Sequence, residues 1–195
     1  MRTRHLAVGV AALVLALAAA APAQELSLSV GAGGLFPSSG GYRDIYGSGL
    51  SIGGDVWLKL RGPFGFAAGF GHISDKGMAV GAGTGTAAYP LSFRRTSIPV
   101  VAFYQLDAGP VAARLGAGAG IHYYRETWQT VDLHYSGHRV SPLIVMAVSL
   151  ALLDRISLFC SAGYDSIRAG ADSPLGATVE LGGLQLLGGL AFRIF

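Results

Sequence analysis

The sequence predicts an all-β fold, an eight-stranded antiparallel up-and-down transmembrane β-barrel. Three observations carry that expectation. The chain is 51% apolar and only 13% charged, yet beyond residue 23 no apolar run reaches the roughly 18 to 20 residues of a spanning helix. The apolar residues instead recur with period two, the repeat of a strand with two unlike faces. Short and long connections between these segments alternate along the chain. Lipid offers no hydrogen bonds to exposed backbone, so a chain that crosses it without helices must close its strands into a barrel.

Residues 1–23 precede the barrel. Arg2 and Arg4 make a positive start, Leu6 to Ala21 form an apolar core, and Ala21-Pro22-Ala23 supplies small residues. This is the pattern of a secretory signal peptide cleaved after Ala23, which leaves 24–195 as the barrel domain. The net charge of +3 includes Arg2 and Arg4, so the exported chain is close to neutral. Its basic residues are dispersed, with only Arg94 and Arg95 adjacent, which argues against a nucleic-acid partner. Cys160 is the single cysteine, so an internal disulfide framework is ruled out in spite of export.

The first strand, "ELSLSVGAGGLF", sets Leu26, Leu28, Val30, Ala32 and Phe36 against Ser27, Ser29, Gly31 and Gly33. In "LSIGGDVWLKLR" the apolar phase is Leu50, Ile52, Val56, Leu58 and Leu60, opposite Asp55, Trp57, Lys59 and Arg61. The third strand is expected over Phe64 to His72 and the fourth over about Thr96 to Leu106, with Ile98, Val100, Ala102 and Tyr104 outward. The fifth, "VAARLGAGAGIHYY", sets Leu115, Ala117, Ala119, Ile121 and Tyr123 against Arg114, Gly116, Gly118, Gly120 and His122. The sixth spans about Val140 to Leu153, apolar on both faces in places. In the seventh, Leu158, Cys160, Ala162 and Tyr164 oppose Ser157, Phe159, Ser161 and Gly163. The eighth runs from about Val179 to Phe195.

Three connections are short (Arg61 to Gly65, Leu106 to Val111, Leu152 to Ile156) and hold the Gly, Pro and Asp of tight turns. Four are longer: Pro37 to Ser48, Ser74 to Arg95, Arg125 to Arg139, and Arg168 to Thr178. This alternation is the asymmetry of outer-membrane barrels, which pair tight periplasmic turns with longer external loops. Phe36, Phe70, Tyr123 and Tyr164 fall on the apolar phase towards the long loops and form an expected interfacial girdle. Phe64, Phe66, Tyr104, Phe192 and Phe195 lie near the short turns.

On these features, with "TSIPVV" in the fourth strand, "GAGAGIHYY" in the fifth and the terminal Phe195, the chain resembles the small bacterial outer-membrane β-barrel families, the OmpA-transmembrane, OmpX and OmpW-like group. The resemblance implies a Gram-negative outer-membrane location among lipids and lipopolysaccharide. It also implies that Phe195 is read as an assembly signal by the outer-membrane assembly machinery. Phe195 sits out of phase with Ile194, Phe192 and Leu190, so either a bulge turns it outward or it lies beyond the regular strand.

Eight strands leave an interior just wide enough for side chains to fill. The inward phase supplies Asp55, Lys59, Arg61, Arg114 and Asp165, an expected lumen ion-pair network, because an unpaired buried ion is costly. Gly116, Gly118 and Gly120 leave room for Trp57 or Phe159. A gated path for protons or small ions is the sharper alternative for the same residues. "DLHYSGH" contains a His134-x-Ser136 pair and is similar to the His-x-Ser of lipid A deacylases. Gly137 stands in place of their Asn, and no acidic residue falls between Ser136 and Asp154. His122, His134 and His138 make only a weak metal pattern. "GAGTGTAA" (Gly81 to Ala88) lacks the strand-turn-helix context of a nucleotide fingerprint, and no cofactor is implied. The expected role is structural or surface-interacting. The alternatives are an OmpW-like conduit for small hydrophobic molecules, a lipid A-acting hydrolase, and a soluble lipocalin-like barrel with its apolar phase turned inward.

Overall fold

The computed structural model describes residues 25–80, 88–130, 133–169 and 179–195. The expected signal peptide, residues 1–23, and the Gly81 to Ala88 stretch, apart from the backbone of Ala88, fall outside the described residues. Eight strands close one antiparallel barrel: β1 (Glu25–Pro37), β2 (Gly49–Lys59), β3 (Phe64–Val80), β4 (Ala88–Ala108), β5 (Val111–Trp128), β6 (Leu133–Leu153), β7 (Ile156–Asp165) and β10 (Gly183–Arg193). Each pairs with its neighbour in sequence, and β10 returns to β1. A two-residue pair, β8 (Arg168–Ala169) with β9 (Val179–Glu180), and a short helix, α1 (Gly40–Tyr46), sit outside the ladder. No described helix is long and apolar enough to cross a membrane.

Alternation sorts the side chains as period two dictates. Leu28, Val30, Ile52, Leu115, Leu158 and Leu190 are exposed on the outer surface, while Ser27, Ser29, Ser51, Arg114, Ser141 and Ser149 are buried within. In a water-soluble protein that arrangement would be inside out. Val100 and Tyr104 on β4, and Ile144, Met146, Val148 and Leu150 on β6, are exposed, which fixes the phase of both strands. Ile98 shares the outward phase of β4 but is covered.

Two of the expected long connections are mostly strand. β3 and β4 stay paired from Phe64 and Tyr104 out to Val80 and Ala88, and β5 with β6 out to Trp128 and Leu133. The ladder continues because Tyr, Phe, Thr and Trp in these segments suit a pleated surface. The barrel therefore has a tall wall, β3 to β6, of 17 to 21 residues per strand, and a low wall whose strands hold 10 to 13. The first long connection folds into α1. Its N-cap is Ser39, whose Oγ accepts from the Tyr42 N–H, satisfying one of the free donors at a helix start.

β10 ends at Arg193, so Phe195 lies beyond the regular strand and is exposed. Its carbonyl still accepts the Leu26 N–H at 3.1 Å, and the Ile194 N–H donates to the Leu26 carbonyl at 2.8 Å. The last two residues thus extend the seam that closes the barrel.

Candidate functional site

The lumen is layered. At the short-turn end, the Lys59 ammonium lies 2.6 Å from Asp107, which also accepts from Gln105 Nε2 at 2.6 Å. Gln105 in turn accepts from Arg114 Nε at 2.8 Å. Arg114 reaches Glu25 on β1 at 3.7 Å, and Arg193 of β10 approaches the same carboxylate at 3.7 Å. Because β5 and β1 are opposite in the strand order, the Arg114–Glu25 pair crosses the barrel.

Immediately above, Trp57 and Phe103 meet edge to face at 5.2 Å, packed with Ala67 and Ala147. The Arg114 guanidinium lies 5.0 Å from the Trp57 ring centre, a cation–π position. Beyond this floor is a cavity of about 70 Å³, large enough for several waters. Asp55, Ser97, His122, Ser161, Asp165 and Gln185 supply its polar lining. Asp55 accepts a 3.4 Å hydrogen bond from Ser29 Oγ, and among the described residues no cation pairs with it.

The cavity's roof is ionic. Arg95 on β4 sends two nitrogens to the two oxygens of Asp165 on β7, each at 3.4 Å, and donates to the Leu181 carbonyl at 2.8 Å. Asp165 also accepts the Gly183 N–H at 3.2 Å. His122 sits between Ser97 and Ser141, sharing 2.9 Å hydrogen bonds with both hydroxyls, 3.9 Å from Asp165. Arg95, His122, Ser141 and Asp165 are nearly fully buried. Each side chain has a partner, as buried polar groups require, but the Arg95 Nε–H is left without one among the described residues.

Above the roof, α1 presses Tyr42 into a cluster with Phe93, Tyr124, Ile167 and Leu181, with Tyr46 and Tyr135 packed alongside. The Tyr42 hydroxyl donates to Asp75 at 2.7 Å. Burial, reinforced by that carboxylate, pushes the Tyr42 phenol well above the usual tyrosine range, and burial followed by Glu126 does the same for Tyr46.

The expected ion-pair residues thus fall at separate levels. Lys59 and Arg114 join one network, Asp165 belongs to the roof, and Asp55 stands alone beside the cavity. Arg61 is exposed in the turn after β2, not in the lumen. Alternation ends at the turn, so its inward phase does not carry to residue 61. Glu25, Arg95, Gln105, Asp107, His122, Tyr42 and Asp75 were missing from the expected set. The inward phase of β4 and β5 would have flagged Arg95, Gln105, Asp107 and His122, but alternation gives no information about partners. Nor do the three β5 glycines make room for Trp57 or Phe159. His122 takes the space at Gly120 and Val101 that at Gly116, while Phe159 lies over Gly31.

Among the girdle residues, Phe36, Phe70 and Tyr164 are exposed and Tyr123 is half-buried, its ring 6.3 Å from that of His138. His134 and Ser136 are both exposed on β6, two residues apart on the outward phase. His134 Nδ1 shares a 3.3 Å hydrogen bond with Thr127 Oγ1. His122 faces the lumen, away from His134 and His138. Among the described residues no three His, Cys, Asp or Glu side chains gather as metal ligands.

A closed barrel with an apolar outer belt, a polar braced interior and one aromatic-capped mouth defines a transmembrane β-barrel of the bacterial outer-membrane type. Solved structures share this fold. OprG from Pseudomonas aeruginosa superposes with a TM-score of 0.70 at 10% identity, over 89% of this chain and 97% of that one. A major outer membrane protein of Thermus thermophilus gives 0.58 at 14%, over 87% and 99%. Neisserial surface protein A gives 0.55 at 16%, over 86% and 94%. No family model and no curated protein matches the sequence.

Proposed function

We propose that this chain is an exported resident of the bacterial outer membrane that acts as a sealed scaffold, presenting its long-loop end to the outside as an interaction surface. The observation that carries this reading is bracing across the lumen at two heights, by Arg114 with Glu25 and by Arg95 with Asp165. Between them Trp57 and Phe103 narrow the barrel, and Tyr42 caps it from above. Opening a path requires breaking pairs that would strand buried charges, a costly step. A conduit for small hydrophobic molecules has less support: the cavity of about 70 Å³ is far smaller than the roughly 300–1,000 Å³ of typical ligand pockets. A hydrolase built on His134 and Ser136 has less support as well, because Gly137 stands in place of the Asn of lipid A deacylases.

Conductance across planar bilayers tests the seal. The wild type is expected to be silent, and Arg114→Gly combined with Trp57→Gly to conduct. Steady single-channel currents from the wild type would overturn the sealed-scaffold reading.

A further inference from the structure

The tall wall carries a feature that neither the seal nor the girdle uses. Its strand register lines up three rows of outward side chains beyond the apolar belt. The lowest is His72, Thr96, Tyr123 and His138. Next comes Ser74, Arg94, Arg125 and Ser136, and above it Lys76, Ser92, Thr127 and His134. Arg94 and Arg125 are directly opposed on β4 and β5, and both are exposed. Like charges placed opposite one another destabilise a sheet. Among the described residues neither guanidinium has a carboxylate partner. The two acids of these segments, Asp75 and Glu126, lie on the inward phase, where they hold Tyr42 and Trp128. The outward rows contain only cations, imidazoles, hydroxyls and one phenol.

Height gives the band its meaning. Arg125 is two residues past the girdle position Tyr123, about 7 Å along the strand. That is the depth at which phosphates replace acyl chains in a leaflet. We infer that the Arg94–Arg125 pair, with Lys76 beside it and Ser74 and Ser136 flanking it, is a docking site for the phosphates of an outer-leaflet glycolipid. Arginine forks match phosphate oxygens in pairs, and one dianionic phosphate between two guanidiniums converts their repulsion into attraction. The low wall ends before this height, so the bound glycolipid sits on one side of the barrel. The inference rests on the proposed outer-membrane residence of the chain.

The full chain is folded into phosphatidylcholine vesicles with or without a bisphosphorylated lipid A, and its thermal unfolding midpoint is followed on gels by heat-modifiable migration. Lipid A is expected to raise the midpoint of the wild type, and Arg94→Gln combined with Arg125→Gln to abolish that rise. In phosphatidylcholine alone the double variant should be at least as stable as the wild type, because a like-charge contact has gone. Its failure to fold there would itself contradict the site. An equal rise with the double variant, or with lipid A stripped of both phosphates, overturns the inference. So does an equal rise from inorganic phosphate alone, which would indicate a site for soluble anions. Wild-type protein that does not insert into either vesicle instead sinks the membrane reading beneath it.

Discussion

Arg95 and Asp165 meet across the lumen in a two-pronged pair, each nitrogen–oxygen distance 3.4 Å, with 1% and 6% of the respective side chains exposed. They come from β4 and β7, strands that are not neighbours, so the pair ties together walls that the backbone ladder does not. Asp165→Asn should therefore cost about 3–5 kcal/mol, the usual effect of stranding a buried charge. Arg95→Met combined with Asp165→Leu should cost much less, since no ion is left unpaired. Urea unfolding from detergent micelles reads both, and equal losses would count against a paired role.

Trp57 forms the floor with Phe103 and is itself held by its indole N–H, which donates to Ser29 at 3.3 Å. Trp57→Ala removes the largest side chain at that level and should destabilise the barrel by about 3–5 kcal/mol, as large-to-small core changes do. Trp57→Phe should recover most of that. Unfolding midpoints in the same micelles check the order.

Gly120 has an imidazole where its side chain would be: a Cβ there would lie 2.6 Å from His122 Nε2. Gly120→Ala should displace the ring and break its bonds to Ser97 and Ser141. The expected readouts are a shifted His122 ring resonance and a loss of about 1–3 kcal/mol from buried groups left unpaired.

The Tyr42 phenol ionises less readily in the folded protein than its ordinary value of 10.0, because burial and then Asp75 oppose the phenolate. A raised folded value means stability that is complete below pH 10 and declines as pH rises above it. Tyr42→Phe should flatten that alkaline decline and weaken the cap at all pH values, because Asp75 loses its donor. Ultraviolet titration of the phenolate, in parallel with unfolding at pH 8 to 12, separates the two effects.

Most of the barrel could be read from alternation. Leu28, Leu115 and Leu158 declare their face because each stands between small or polar neighbours. The strand extensions above residues 74 and 125 escaped because the apolar alternation stops there: the outward positions become Ser74, Lys76, Arg125 and Thr127, although the ladder with the neighbouring strand continues. Lumen partners were harder still. Period two says that Arg114 points inward, but its partner Glu25 is separated from it by half the circumference of the barrel, a distance no local pattern encodes. Phase counting left two places for Phe195, a bulge or a position beyond the strand, and it takes the second, past the last regular residue.

Lipid against the oily face is the premise beneath every other statement, and spin labels at Leu28, Leu115 and Leu158 test it most directly. These positions are 41%, 59% and 47% exposed on the outer surface. In vesicles all three labels should relax with dissolved oxygen and ignore a water-soluble nickel complex, while a label at Ser149 should not report acyl chains. Fast relaxation by nickel at the three leucines would contradict the membrane-spanning geometry.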